Sequence, residues 1–458
     1  MTFNPILNVD SYKTSHYLQY PPGAEVVSSY IESRGGDHSH TVFFGLQIFL
    51  KNTLSKPIRR EHIEEADAVL SAHGVPFNRD GWEYILKQHD GYLPLEVEAI
   101  AEGSRLPVSN VLVQVRNTDP KVPWLTSYVE TALLRAVWYP TTVATRSFES
   151  RASIREALED TADSTDGLEF KLHDFGARGV SSRESAEIGA AAHLLSFMGT
   201  DTINGITALR RYYDADMPGF SIPAAEHSTI TCWGRDRELD AYRNMLDQFA
   251  GDGNVVAIVS DSYDLFNAID NLWGDALRHR VINNGGTVVI RPDSGEPADI
   301  VCESIRRLMD RFGYRENSKG FLVLPDYVRV IQGDGISPAQ IRQILAVMKV
   351  HRLSADNIAF GMGGELLQNV NRDTLRFAMK ASAIRINGEW SDVYKQPATD
   401  LGKSSKRGRQ ALVCDAGTFK TVRREELGDR ENALRPVFRN GELLVDEPFE
   451  RIRQRLHG

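Results

Sequence analysis

The chain has 458 residues, 53 basic and 62 acidic, for a net charge of −9; this allows two or three domains and argues against nucleic acid or an anionic membrane as main partner. Its cysteines, Cys232, Cys302 and Cys414, stand far apart with no CxxC spacing, so neither a zinc cluster nor a disulfide framework is expected, and a reducing cytoplasm is the natural compartment. The opening MTFNPILNVDSYKTSHY lacks the basic and apolar regions of an export signal, and no apolar run approaches the ~20 residues of a membrane span.

Residues 1–140 mix strand-like runs (AEVVSSYIES, LPLEVEAIAEG, SNVLVQVRN) with helical ones (EHIEEADAVLSAHG, WLTSYVETALLRAV). From residue 169 to about 365 one pattern recurs: a short apolar run, a loop rich in Gly, Asp, Ser or Arg, then a segment of helical period. The loops are HDFGARG (173–179), GTD (199–201), PAAEHS (223–228), SDSYD (260–264), RPDSG (291–295), QGDG (332–335) and GMGG (361–364). The runs NVVAIV, GTVVI, YVRVI and NIAF are continuous and β-branched, as strands buried on both faces are. The segments SRESAEIGAAAHLLSF, DRELDAYRNMLDQF, SYDLFNAIDNLWGDAL and SPAQIRQILAVM have helical spacing, several opening on Ser or Asp as N-cap candidates.

Seven such units predict an irregular β/α barrel over 141–375, whose post-strand loops gather on one face. A doubly wound open sheet would show the same alternation, because strand order is not readable here. Residues 376–458 add short strands (RFAMKASAIRING, TFKTVRREE) and a basic Gly/Ser-rich stretch, 400–410, expected to be a solvated loop. With 1–140 they predict a second, α+β domain built from both termini.

Gathered on one face, the loops offer Arg178 and Arg291 as planar cations, Asp201, Asp261, Asp293 and Asp334 as acceptors, and glycines where backbone N–H groups approach a ligand closely. The set suits a ligand with both phosphates and hydroxyls, and GMGG ahead of ELLQNV is a candidate phosphate seat. No GxxxxGK[ST] or GxGxxG motif is present. His227, between Glu226 and Ser228, has four readings on residue type alone: core histidine, metal ligand, general base or nucleophile.

The stretches DSYKTSHYLQYPPGAEVVSSYIESR, HDFGARGVSS, GTDT, PAAEHSTI, SDSYD, IRPDSG, VIQGDG and NIAFGMGG together resemble the nicotinamide phosphoribosyltransferases, from about residue 5 to about 455. The resemblance implies a type II phosphoribosyltransferase barrel and a cytoplasmic homodimer with shared sites. It implies formation of nicotinamide mononucleotide and pyrophosphate from nicotinamide and phosphoribosyl pyrophosphate (PRPP) in NAD salvage, with Mg²⁺ and with ATP hydrolysis favouring the reaction. Nicotinate phosphoribosyltransferase, on the same barrel, is the alternative.

By motif position, Phe175 and the partner chain's copy of Tyr12 would stack on the pyridine ring, with Asp10 and Arg178 as polar contacts and Asp201 selecting the amide. Arg291 and Asp293 would lie at the phosphoribose. Gly333, Asp334, Gly363, Gly364 and Arg372 would surround the ribose and 5′-phosphate, and Arg34, Lys395 and Lys406 would meet the diphosphate or ATP. His227 matches the histidine that ATP phosphorylates, with Glu226 and Asp261 orienting it. Ala177 stands where animal members carry Tyr, and GMGGE replaces a more glycine-rich run.

Overall fold

A computed structural model describes residues 3–397, 399 and 404–458, so residues 400–403 of the basic stretch lie outside the described residues. The chain forms two compact units: Met1–Thr145, Leu209–Ala215 and Asn371–Gly458 make the first, Arg146–Ala208 and Asp216–Val370 the second.

The first unit is built on a seven-stranded sheet of antiparallel neighbours in the order Glu389–Asp392, Phe377–Ile386, Ala24–Ser33, Val111–Asn117, Leu95–Ala99, Arg435–Arg439, Glu442–Leu443. Two hairpins turn on Asn-Gly pairs, Asn387-Gly388 and Asn440-Gly441, with φ of 49° and 86°, and 50° and 91°. Both central residues lie in the left-handed region, as the tightest hairpin turns require. Helices Arg60–His73 and Arg79–Gln88 place Ile63, Leu70, Trp82 and Ile85 in one core with Ile31, Val97 and Val113 of the sheet.

The second unit holds six parallel strands in the order Gly199–Thr200, Leu172–Asp174, Ile358–Met362, Val328–Gln332, Thr287–Arg291, Val255–Val259. The irregular segment 220–224 joins the two edges: Phe220 bridges Gly199 and Ala224 bridges Ala257, both in parallel sense. Backbone bonds fasten it on each side, Thr200 N–H to Phe220 O (3.0 Å) and Phe220 N–H to Met198 O (2.7 Å), then Ala225 N–H to Ala257 O (2.9 Å) and Ala257 N–H to Pro223 O (3.0 Å). The result is a closed ring of seven segments whose neighbours follow chain order, the β/α barrel expected from the repeated pattern rather than an open sheet.

The third segment is not a regular strand, and Pro223 gives a physical reason: it has no N–H for a ladder. Ala257, Val289 and Ile331 cluster with half-buried Ile222, Val255 and Ala359. Helices Arg183–His193 and Pro338–Val350 begin under Ser182 and Ser337, whose hydroxyls accept from the N–H groups of Ser185 and Gln340.

One segment departs from its helical reading. Over SYDLFNAIDNLWGDAL the chain makes a short helix, Leu265–Asn267, and then widens into π turns over Ala268–Ala276. There Trp273 stacks on Tyr242 at 4.5 Å and its indole N–H donates to Ser260 Oγ at 3.1 Å.

His193 is fully buried, stacks on Phe197 and lies 3.0 Å from Ser147 Oγ. Burial, reinforced by the neighbouring charge of His173, pushes its pKa down to about 3. The unfolded chain takes up this proton below about 6.5 and the folded one does not, so this residue makes stability fall as pH drops from about 6.5 toward 3, by about 1.4 kcal/mol per unit. Denaturant unfolding at pH 7 and pH 5 should show a loss steeper by about 2 kcal/mol in the wild type than in His193→Gln. Equal losses in the two proteins would place the acid sensitivity elsewhere.

Candidate active site at the barrel mouth

The turn after Leu172–Asp174 is set by a buried carboxylate. Asp174 accepts from Gly176 N–H at 2.7 Å and from Thr200 Oγ1 at 3.1 Å, and its carbonyl accepts from Asp201 N–H at 2.9 Å. One residue thus fixes both the HDFGARG and GTD loops. Burial raises the Asp174 pKa against these bonds.

Phe175 N–H donates to Met362 O at 2.9 Å, which turns the phenyl ring back over the end of the neighbouring strand. A Cβ on Gly361 would stand 2.0 Å from that ring and one on Gly333 3.3 Å, so the two glycines leave the shelf on which the ring rests. Gly179 and Gly364 approach closely, a Cβ on the former falling 2.8 Å from the Cα of the latter. Gly363 and Gly364 therefore buttress the Phe175 turn, and neither lines the cavity described next.

That cavity, of about 500 Å³, is lined by Phe175, Arg178, Asp201, Glu226, His227, Arg291, Asp293 and Gly333 among the expected residues, and by His173, Ala177, Ser221, Ile222 and Ile331 besides. Its aromatic and aliphatic wall and its charged rim suit a flat ring joined to an anion. Arg291 lies 3.4 Å from Asp293, and its Nε is buried with no hydrogen-bond acceptor among the described residues, an orphan donor that an anionic oxygen would satisfy.

Asp261 is the hub of the charged side. Its Oδ1 lies 3.1 Å from His227 Nε2, while Oδ2 accepts from Asp293 N–H at 3.1 Å and Ser294 Oγ at 2.6 Å. Nδ1 of His227 lies 3.8 Å from Asp293. Burial raises the Asp293 pKa, opposed by Arg291 and His227 and reinforced by Asp261 and Asp334. Glu226, expected to help orient the histidine, instead accepts a bond from Ser228 Oγ; the second carboxylate beside the imidazole is Asp293. The difference is geometric, because Glu226 occupies the N-cap position of the short helix that His227 opens and its carboxylate is engaged by Ser228 of that helix.

In the first unit, Arg34 and Lys406 share one partner, Glu32, and the Lys406 N–H donates to Tyr30 Oη at 2.8 Å. Arg372 pairs with Asp373, the Lys395 backbone bonds Ser405, and Asp10 accepts from Thr131 Oγ1 at 2.6 Å. The Tyr12 ring is 61% exposed. Asp174, Ser221, Gly361 and His173 are residues that motif reading missed. Asp174 and His173 stood inside a quoted motif, but their roles depend on contacts with segments remote in sequence.

The model of the nicotinate phosphoribosyltransferase family matches residues 170–442, and that of the nicotinamide phosphoribosyltransferase N-terminal domain matches residues 4–97. A nicotinamide phosphoribosyltransferase of Xanthomonas campestris pv. campestris is 51% identical, over 98% of this chain and 97% of its own, and one of Acinetobacter baylyi is 30% identical over 99% and 97%. Two solved structures share the fold. Nicotinate-nucleotide pyrophosphorylase from Pyrococcus furiosus has a TM-score of 0.62 at 14% identity, covering 99% of this chain and 95% of that one; human nicotinic acid phosphoribosyltransferase has 0.55 at 16%, covering 98% and 92%.

The Phe175 shelf is directly testable. Gly361→Ala should cost about 1–3 kcal/mol by overpacking, and a crystal structure of the variant should show the ring displaced from its seat. A variant of unchanged stability with the ring in place would show that the shelf has slack.

Proposed function

The chain belongs to the nicotinate phosphoribosyltransferase family, and on that premise we propose that it joins nicotinamide to the phosphoribosyl group of PRPP, releasing pyrophosphate. The observation that carries the choice of base is a carboxylate, Asp201, in the same cavity as the Phe175 ring and Arg178. Asp201 accepts from the amide NH₂ of nicotinamide and repels the carboxylate of nicotinate. Phe175 supports one face of the pyridine, and Arg178 donates to the carboxamide oxygen.

The pyridine nitrogen attacks the anomeric carbon with its lone pair as the carbon–oxygen bond to the diphosphate breaks, the bonding pair leaving with pyrophosphate. That nitrogen carries no proton, so no general base is needed. Arg291, with its unpaired Nε, meets the phosphorylated substrate. Gly333 at the cavity wall, with Asp334, Gly363 and Gly364 beyond the lining, is assigned to the ribose and 5′-phosphate.

No group of three or more His, Cys, Asp or Glu side chains among the described residues is arranged to hold a metal alone. Mg²⁺ needs no such cage, since it is commonly held by one or two carboxylates plus substrate phosphates. Asp293, whose proton affinity is raised by burial and further by Asp261 and Asp334, and Asp334 itself supply that kind of donor. When bound there, the ion offsets the charge of the leaving diphosphate.

His227 is the phosphoryl acceptor from ATP in this reading. A proton held on Nε2 by Asp261 leaves Nδ1 with the free lone pair. The exposed Tyr12, together with Asp10, completes the pocket of a second copy in a homodimer, where Arg34, Lys395 and Lys406 face the diphosphate of PRPP or ATP and Arg372 the 5′-phosphate. None of the helices among the described residues is long and apolar enough to cross a membrane, and the described cysteines are all free. A cytoplasmic role in NAD salvage follows within the proposal.

Purified protein given PRPP and Mg²⁺ should form nicotinamide mononucleotide faster than nicotinate mononucleotide at equal base concentration. The reverse preference would favour the nicotinate-using reading that the family match also allows. His227→Ala should abolish ATP hydrolysis and its enhancement of the transfer while a slow ATP-independent transfer persists. Loss of both activities together with stability would mark the histidine as structural. Tyr12→Ala and Asp201→Ala chains, each impaired but still measurable with nicotinamide, should gain activity when mixed and exchanged, since each heterodimer would keep one intact site; no gain after verified exchange would exclude shared sites.

A further inference from the structure

The parallel bridge between Gly199 and Phe220 aligns the residues that follow them, and at the cavity wall Ser221, one residue past Phe220, meets Asp201, two residues past Gly199. Ser221 Oγ donates to Asp201 Oδ1 at 2.5 Å. The Asp201 backbone is already held on both sides, its N–H by Asp174 O at 2.9 Å and its carbonyl by Ile203 N–H at 3.2 Å. Side-chain rotation is therefore the remaining freedom of this carboxylate, and the Ser221 bond restrains it.

We propose that Ser221 is a specificity-determining positioning residue, which acts through Asp201 to aim its second oxygen at the amide of the pyridine base. The inference rests on the reading that Asp201 receives that amide. Two physical effects support it. A carboxylate held in one rotamer loses no conformational freedom when the base binds, so its bond to the amide is pre-organised. In addition, a serine hydroxyl has one proton. With that proton engaged by Asp201, Ser221 has no donor to offer the carboxylate of nicotinate; facing a neutral partner it would be free to turn and bind the wrong base.

The test is a double-mutant cycle on the folded, full-length enzyme, with nicotinamide and nicotinate as alternative substrates. Ser221→Ala should lower kcat/KM for nicotinamide by about three- to tenfold, mostly through KM, and lower the nicotinamide-to-nicotinate ratio in parallel. Ser221→Thr should restore both. In an Asp201→Ala background, Ser221→Ala should change neither quantity, because the group through which it acts is gone. An equal effect of Ser221→Ala in both backgrounds, or an unchanged ratio with Asp201 intact, would overturn the proposal while leaving the Asp201 reading standing. If Asp201→Ala itself leaves the ratio unchanged, the reading of the base site fails and the role of Ser221 falls with it.

Discussion

The barrel closes through a segment that is not a regular strand, and the site depends on that closure. Residues 220–224 bond by their backbone to Gly199–Thr200 on one side and Val255–Val259 on the other. Each backbone bond contributes only about 1 kcal/mol net, but together they fix the path of a chain that carries Ser221, Glu226 and His227 within eight residues. Were this segment to peel away, the sheet would have two open edges, and the carboxylate at Asp201 would lose both its bridge neighbour and its hydroxyl partner.

Around that closure the charges are divided. Near Asp201 the wall is formed by Phe175, Ile222 and Ile331, suited to a neutral ring with one polar substituent. Around His227 burial raises the Asp293 proton affinity, with Asp261 adding to it, and Asp261 is engaged by three hydrogen bonds. An acidic cluster of this kind favours the arrival of cations, which accords with the proposed metal-bound diphosphate.

Much of the barrel was legible because buried parallel strands and amphipathic helices leave distinct periodicities, and because Gly-Asp-Ser loops punctuate them. Hidden were the features set by spatial rather than sequential neighbours. The π turns of Ala268–Ala276 share their apolar spacing with an ordinary helix. The replacement of Glu226 by Asp293 beside His227 brings together loops 66 residues apart, a pairing that no local spacing encodes. Gly361 reads as part of the GMGG loop, whereas it lies within the strand Ile358–Met362 under the Phe175 ring. Asp201 was identifiable from its motif, whereas the hydroxyl that steadies it sits on another segment.

The proposed choice of base turns on the sign of one charge, and Asp201→Asn tests it with little change in shape. Kcat/KM for nicotinamide and for nicotinate should be measured for wild type and variant under the same PRPP and Mg²⁺ concentrations. A lost charge-assisted bond is worth roughly 1.5–3 kcal/mol, so the nicotinamide-to-nicotinate ratio should fall at least about tenfold. A folded variant with the wild-type ratio would contradict the assignment of Asp201 as the group that reads the amide.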